Sequence, residues 1–310
     1  MKQQNRITTL LLTKFPLLLG GMAWIADAQL AAAVSEGGGL GVIAAGNMPP
    51  DLLEIELIKI RSLTHKPFGL NIMLMSPTAD EALYMAEKHK VPIVITGAGS
   101  AGKVLKKLKP IGTIVIPVVA SVAQAKRFEK QGADALIAEG MEAGGHIGEL
   151  TTMVLVPQIV DTVVIPVIAA GGIADSRGAK AAFALGAEGI QVGTRFLCSN
   201  ECNVHENYKK AIISAKDRDT TITGQRAGHP VRCLRNKLTG KFESLDKRLA
   251  GVEEIEKLGA GRLRDAVING DVEWGSLMAG QSSAMVNDIK PAAQIIKELF
   301  TFNFEGVDVE

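Results

Sequence analysis

The 310 residues hold 34 Lys and Arg against 33 Asp and Glu, a net charge of +1, so neither a broad nucleic-acid footprint nor a polybasic membrane anchor is expected. A hydrophobic fraction of 47% with 22% charged residues supports a sizeable core and excludes a disordered chain, and three cysteines are too few, and odd in number, for a secreted disulfide scaffold. The length fits two domains or one α/β barrel with an appendage, and 33 glycines point to many tight, backbone-lined turns.

At the N-terminus Lys2, Arg6 and the apolar run to Ile25 imitate a signal peptide. Lys14 and Pro16 divide that run, however, and 16–19 followed by Gly20-Gly21 reads better as a short buried strand; a reducing cytoplasm is the expected setting. No other stretch is apolar for the ~20 residues a membrane span needs. Further apolar runs at 40–44, 68–72, 92–96, 113–118, 135–138, 165–169 and 189–192 are hydrophobic on both faces, as parallel strands covered on both sides are. Helices are expected between them. Asp27 opens one ending near Ser35, Asp51 another with Leu52, Ile55 and Ile58 on one face, Ser121 another with Ala125 and Phe128, and Ser176 another with Ala179, Phe183 and Ala184. Eight strand-then-helix units predict an α/β fold, a (β/α)8 TIM barrel, over a doubly wound sheet.

After Val192 the pattern changes to a helix at 204–215, a short β segment at 220–223 and an irregular basic stretch at 226–248. From Glu253 two helical stretches follow, and the last, at 291–300, closes the barrel. The expected organisation is a barrel core at 1–200, a small appended substrate-side region at 201–262 and a C-terminal segment at 263–310 that completes the site. Cys198 and Cys202 are four apart but lack further ligands nearby, so idle thiols and no metal are expected.

Barrel chemistry sits at the C-terminal ends of the strands, where this sequence is glycine-rich. Ala169 to Asp175 after the seventh run, and Gln191 to Arg195 around the end of the eighth, form a pattern that binds phosphate through backbone N–H groups and an adjacent helix N-terminus; the alternative is that these glycines only permit tight packing. After the sixth run, Glu139-Gly140-Met141-Glu142-Ala143-Gly144-Gly145-His146-Ile147-Gly148 places one imidazole in a flexible loop over the barrel mouth, to polarise a carbonyl, move a proton or merely cap the loop. His65, His89 and His205 read as solvent-exposed. Gly37 to Gly41 precedes a strand and so fails as a dinucleotide fingerprint. With no nucleophile and no metal cluster, reactivity calls for an organic cofactor.

Gly20-Gly21-Met22-Ala23-Trp24, Lys66 to Ile72, Glu139 to Gly148, Ile168 to Asp175, Gly193-Thr194-Arg195-Phe196 and Met278-Ala279-Gly280-Gln281-Ser282 together closely resemble the flavin-dependent enoyl-acyl-carrier-protein reductase II family. The resemblance implies FMN reduced by NADH or NADPH, reduction of an enoyl thioester on acyl carrier protein, a homodimer, and a monovalent cation such as K+ or NH4+. It places Met22 and Ala23 along the isoalloxazine, Asn71 at its polar edge, Gln281 near the ring, Glu139 on the ribityl chain or ordering its own loop, and Gly171, Gly172, Gly193 and Thr194 on the phosphate. Gly21, Asn47, Thr96, Gly145, Ala170, Gln191, Met278 and Gly280 complete the implied cofactor set, and His146 is the implied catalytic residue, above the flavin. The related nitronate monooxygenases share the histidine loop, and there the histidine is a base that deprotonates a nitroalkane. Ile147 after the histidine and Asn71-Ile72-Met73-Leu74-Met75 look like the reductase; the two methionines either line an acyl groove or pack the core. Arg226, Arg232, Arg235, Lys237, Lys241, Lys247 and Arg248 against Glu243 and Asp246 form a basic stretch that would steer an acidic carrier protein, or is a solvated face.

Overall fold

Runs such as Leu17-Leu18-Leu19 and Val167-Ile168-Ala169-Ala170 have no polar side chain on either face, so they are stable only as strands sandwiched between side chains on both sides. A computed structural model, which describes residues 5–301, places them so. Eight parallel strands form the barrel: β1 (Leu17–Leu19), β2 (Gly41–Ala44), β3 (Phe68–Met73), β4 (Ile93–Gly97), β5 (Ile114–Val119), β6 (Leu136–Glu139), β8 (Val167–Ala170) and β9 (Gly189–Val192). Their order is β2-β3-β4-β5-β6-β8-β9-β1. The ring is joined between its ends by Leu40, whose N–H donates to Leu17 O (2.8 Å) and whose carbonyl accepts from Leu19 N–H (2.9 Å). The expected (β/α)8 barrel is the fold.

The helices follow their caps. Asp27 caps the helix Ala28–Glu36 by accepting from Leu30 N–H at 2.9 Å, and Ser121 caps Val122–Lys130, which buries Ala125 and Phe128. The helix at Ser176–Ala184 is capped by Asp175 rather than opened by Ser176; it buries Ala179 and Ala182, while Ala184 is exposed and Phe183 lies 6.2 Å from the Phe300 ring. The face expected for the helix at 50–63 is corrected. Pro50–Leu63 buries Leu53, Glu56, Leu57 and Ile60, and leaves Ile55 and Ile58 in solvent. A purely apolar stripe misses this face because one of its members is a carboxylate: Glu56 accepts from Ala28 N–H at 2.6 Å, at the N-terminus of the neighbouring helix where negative charge is favoured.

The stretch at 226–248 is also corrected. It is not irregular: β10 (Thr220–Thr223) and β11 (Val231–Leu234) form an antiparallel hairpin, and the helix Lys237–Lys247 follows, capped by Asn236. Leu238, Phe242, Leu245, Ala250 and Ile255 build a small core of their own, an apolar pattern the surrounding charges conceal in the sequence. The third strand of this sheet is β7, Gly145–His146, pairing antiparallel with β11. Helix Ala292–Leu299 packs on the helices 28–36 and 176–184 and completes the outer ring. Among the described residues no helix is long and apolar enough to cross a membrane.

Glu56→Ala leaves Ala28 N–H buried without an acceptor and is expected to cost about 1–3 kcal/mol in urea unfolding, whereas Glu56→Gln, which keeps an acceptor oxygen, retains most of that stability.

Candidate functional site

All eight barrel strands end at one rim, and a cavity opens there. Gly21, Met22 and Ala23 enter it after β1, Asn47 after β2 and Asn71 from β3. Glu139 enters from β6, Gly145 and His146 from β7, and Ala170, Gly171 and Gly172 around the end of β8. Gln191, Gly193 and Thr194 follow at β9, and Met278 and Gly280 come from the C-terminal segment. Two of the expected residues do not line it. Thr96 is buried inside the wall of β4, and Gly97 and Ala98 beyond it reach the cavity instead. Gln281 is exposed; its backbone N–H donates to Glu142 O (2.9 Å), so it ties the C-terminal segment to the histidine loop. Of the two methionines, Met73 lines the cavity and Met75 is exposed.

The glycines after β8 are required by geometry. Gly171 has φ +97°, and a Cβ there would stand 2.8 Å from Gly140 O. Among the described residues nothing accepts from the N–H groups of Gly171, Gly172, Gly193 or Thr194, so four backbone donors are available at one end of the cavity. At the helix N-terminus at Ser176, Asp175 occupies Arg177 N–H (2.9 Å) and Gly178 N–H (3.3 Å). The free donors of the cavity are instead those of the turn at Gly171-Gly172 and of the start of the short helix Thr194–Leu197, whose N-cap is Gly193. Thr194 Oγ1 accepts from Gly280 N–H (2.9 Å), which leaves its own O–H to donate.

Deeper in the cavity Gln191 Oε1 is buried and has no hydrogen-bond partner, a state proteins rarely leave uncorrected without a ligand. Asn71 is accommodated only because residue 21 is glycine, since a Cβ there would lie 2.3 Å from Asn71 Cγ. Three non-glycine residues at or beside the rim, Trp24 (φ +65°), Asn47 (φ +57°) and Ala98 (φ +51°), hold left-handed backbone, the kind of strain that concentrates at binding sites.

Two ionisable groups are shifted in opposite directions. Burial, then the nearby His229, holds the His146 imidazole below its ordinary value, so it is neutral at pH 7. Burial pushes Glu139 up to about 7, and no donor among the described residues reaches its carboxylate. His146 is not in a free loop as expected: it is a strand residue, opposite Val231. Glu142, which the sequence reading left unassigned, also faces the cavity; its carboxylate accepts from Thr152 N–H (2.9 Å) and Thr152 Oγ1 (3.0 Å). Leu263 and Ser282 were missed too, the first with no motif to mark it, the second only as the neighbour of Gln281.

Elsewhere His65 is exposed as expected, but His89 is half-buried against Glu54 (2.9 Å) and His205 caps its helix by accepting from Asn207 N–H (3.1 Å). All three cysteines are free and buried, with thiols raised by burial to about 11, 12 and 11 at Cys198, Cys202 and Cys233. The basic stretch is largely spoken for: Arg235 pairs with Glu243, Lys237 with Glu273 and Arg248 with Glu254, and Arg232 is buried.

Because folding raises Glu139 from 4.5 to about 7, the folded protein binds this proton more tightly than the unfolded chain, and the associated stability is lost as pH climbs across that interval. Glu139→Gln is expected to be more stable than the parent at pH 8 by about 1–3 kcal/mol and equal to it at pH 4, measured by urea unfolding of ligand-free protein.

With this geometry established, comparison with known proteins places the chain. The family model described as nitronate monooxygenase matches residues 4–89 and 78–301. A solved structure of FabK from Thermotoga maritima is 51% identical and superposes with a TM-score of 0.93, covering 96% of this chain and 95% of that one. A probable nitronate monooxygenase from Staphylococcus saprophyticus is 34% identical over 95% of this chain and 96% of its own length. A carboxyl-CoA dehydrogenase of Mycobacterium tuberculosis, named for a bicyclic octahydro-indene substrate, is 29% identical over 96% of each. Both of these relatives carry the names of oxidoreductases, and the chain belongs to the nitronate monooxygenase family.

Proposed function

We propose that this protein is an FMN-dependent reductase of trans-2-enoyl thioesters on acyl carrier protein, consuming NADH or NADPH and a proton for each carbon–carbon double bond saturated. The observation that carries the reading is the combination, in one cavity, of four unpaired backbone donors, an orphaned Gln191 oxygen and one half-buried imidazole mounted on a strand. The likeness to FabK, an enoyl-acyl-carrier-protein reductase II, at 51% identity supports the substrate class.

The chain's residues fit the cofactor. Gly171, Gly172, Gly193 and Thr194 would hold its phosphate without a lysine, Gln191 Oε1 would take the ring N–H it lacks a partner for, and Met22 and Ala23 would pack on the ring. Bound there, FMN would supply the two-electron redox chemistry that no side chain in the cavity can. His146 handles the charge that reduction of the enoyl thioester creates. As hydride reaches the β-carbon, negative charge builds on the thioester oxygen, and the neutral imidazole donates its N–H to that oxygen. The half-buried ring is held on a strand opposite Val231, which restricts its movement. Carrier binding would use the exposed cations left unpaired around the small sheet, Arg226, Lys241 and Lys247.

The family match keeps a second reading in view, oxidation of a nitroalkane by O2, in which the same neutral imidazole would accept the substrate's α-proton. Anaerobic stopped-flow separates the two. Freshly purified protein is expected to be yellow, to bleach with NAD(P)H and to recover its colour when a trans-2-enoyl thioester is added without oxygen; recovery only with oxygen, together with nitroalkane-dependent oxygen uptake that needs no NAD(P)H, selects the second reading. In the same instrument His146→Ala is expected to retain flavin and bleach within twofold of the parent, while its enoyl-dependent reoxidation slows by about 10²–10³.

A further inference from the structure

Arg232 stands in the middle of β11 with only 4% of its surface exposed, yet among the described residues no carboxylate lies within ion-pair distance of it. Burying a guanidinium without a paired carboxylate is unfavourable, so its place in the fold needs a reason. Its hydrogen bonds supply one. Nε donates to Met141 O at 2.9 Å, and a terminal nitrogen donates to Thr220 Oγ1 at 3.2 Å on the adjoining strand. The backbone of the same strand grips the loop again: Arg232 lies opposite Gly145, Val231 opposite His146, and Pro230 O accepts from Ile147 N–H at 3.1 Å.

One strand therefore holds the histidine loop at two points, by a side chain at Met141 and by the ladder at Gly145–His146. Between them Glu142, Ala143 and Gly144 line the cavity, and Glu142 adds long-range attraction to the guanidinium. Gly145 takes a φ of +76° in the turn into β7, and the segment is held further at Glu142, whose carbonyl accepts from Gln281 N–H (2.9 Å) and whose carboxylate accepts from Thr152. We propose that Arg232 is the positioning residue for His146, bracing the Met141–Gly145 segment so that the imidazole is presented to the cavity at a set angle. This role rests on the reading of His146 given above. Arginine suits it, since its planar fork directs Nε and a terminal nitrogen at two acceptors in a fixed relative geometry, which a freely rotating ammonium does not impose.

The test is a double-mutant cycle in anaerobic stopped-flow with the flavin-loaded protein. Arg232→Met is expected to keep its flavin and its NAD(P)H bleaching rate within twofold, to slow enoyl-dependent reoxidation by about 10–100-fold, and to add less than twofold when placed on His146→Ala. Arg232→Lys, which keeps the charge and one bond, is expected to recover part of the rate. Reoxidation by Arg232→Met within twofold of the parent overturns the proposal, as does equal slowing of both half-reactions, or the same slowing on His146→Ala as on the parent. As a readout independent of turnover, the His146 imidazole is titrated by NMR in Arg232→Lys, with His229 unchanged: a loosened, better hydrated ring shifts its midpoint up toward the ordinary value, and an unshifted midpoint overturns the proposal. If His146→Ala itself reoxidises as fast as the parent, the functional reading fails, and this titration alone decides the role of Arg232.

Discussion

Closure of the barrel between β1 and β2, through the two hydrogen bonds made by Leu40, is the constraint on which the rest of the molecule depends. Because all eight strands are parallel, closure gathers their C-terminal ends at one rim, where backbone donors no longer have a next strand to pair with. Most proteins cap such ends with side chains. Here glycines at 171, 172 and 193 leave them open, and the cavity acquires a set of oriented donors that no charged side chain needs to supplement.

The same enclosure sets the protonation states. Burial disfavours charge of either sign, so it moves His146 down and Glu139 up, and both are driven toward their neutral forms near pH 7. A neutral N–H donor is suited to chemistry in which charge appears only transiently, since it then acts on the transition state more than on the bound substrate.

The appended sheet changes what the histidine loop is. The loop is ten residues with four glycines, and its first part is tied at Glu142 by Gln281 N–H and Thr152. Pairing of Gly145–His146 with β11, together with the buried Arg232, turns the last part of that loop into a strand of a second sheet.

The eight barrel strands were legible because full burial on both faces writes an uninterrupted apolar run, and the glycine turns were legible because they recur where such runs stop. His146 could be named from its loop, and Asp27 and Ser121 from cap chemistry. What depends on residues distant in sequence was not legible. The buried face of Pro50–Leu63 turns on a bond from Ala28 to Glu56, the strand at 231–234 reads as part of a basic run until Arg232 is seen inside the sheet, and Asp175 takes up two N–H groups of the helix it opens. Chain periodicity records whether a segment is covered by apolar neighbours; it does not record which polar group meets which, because that pairing exists only once the barrel has closed.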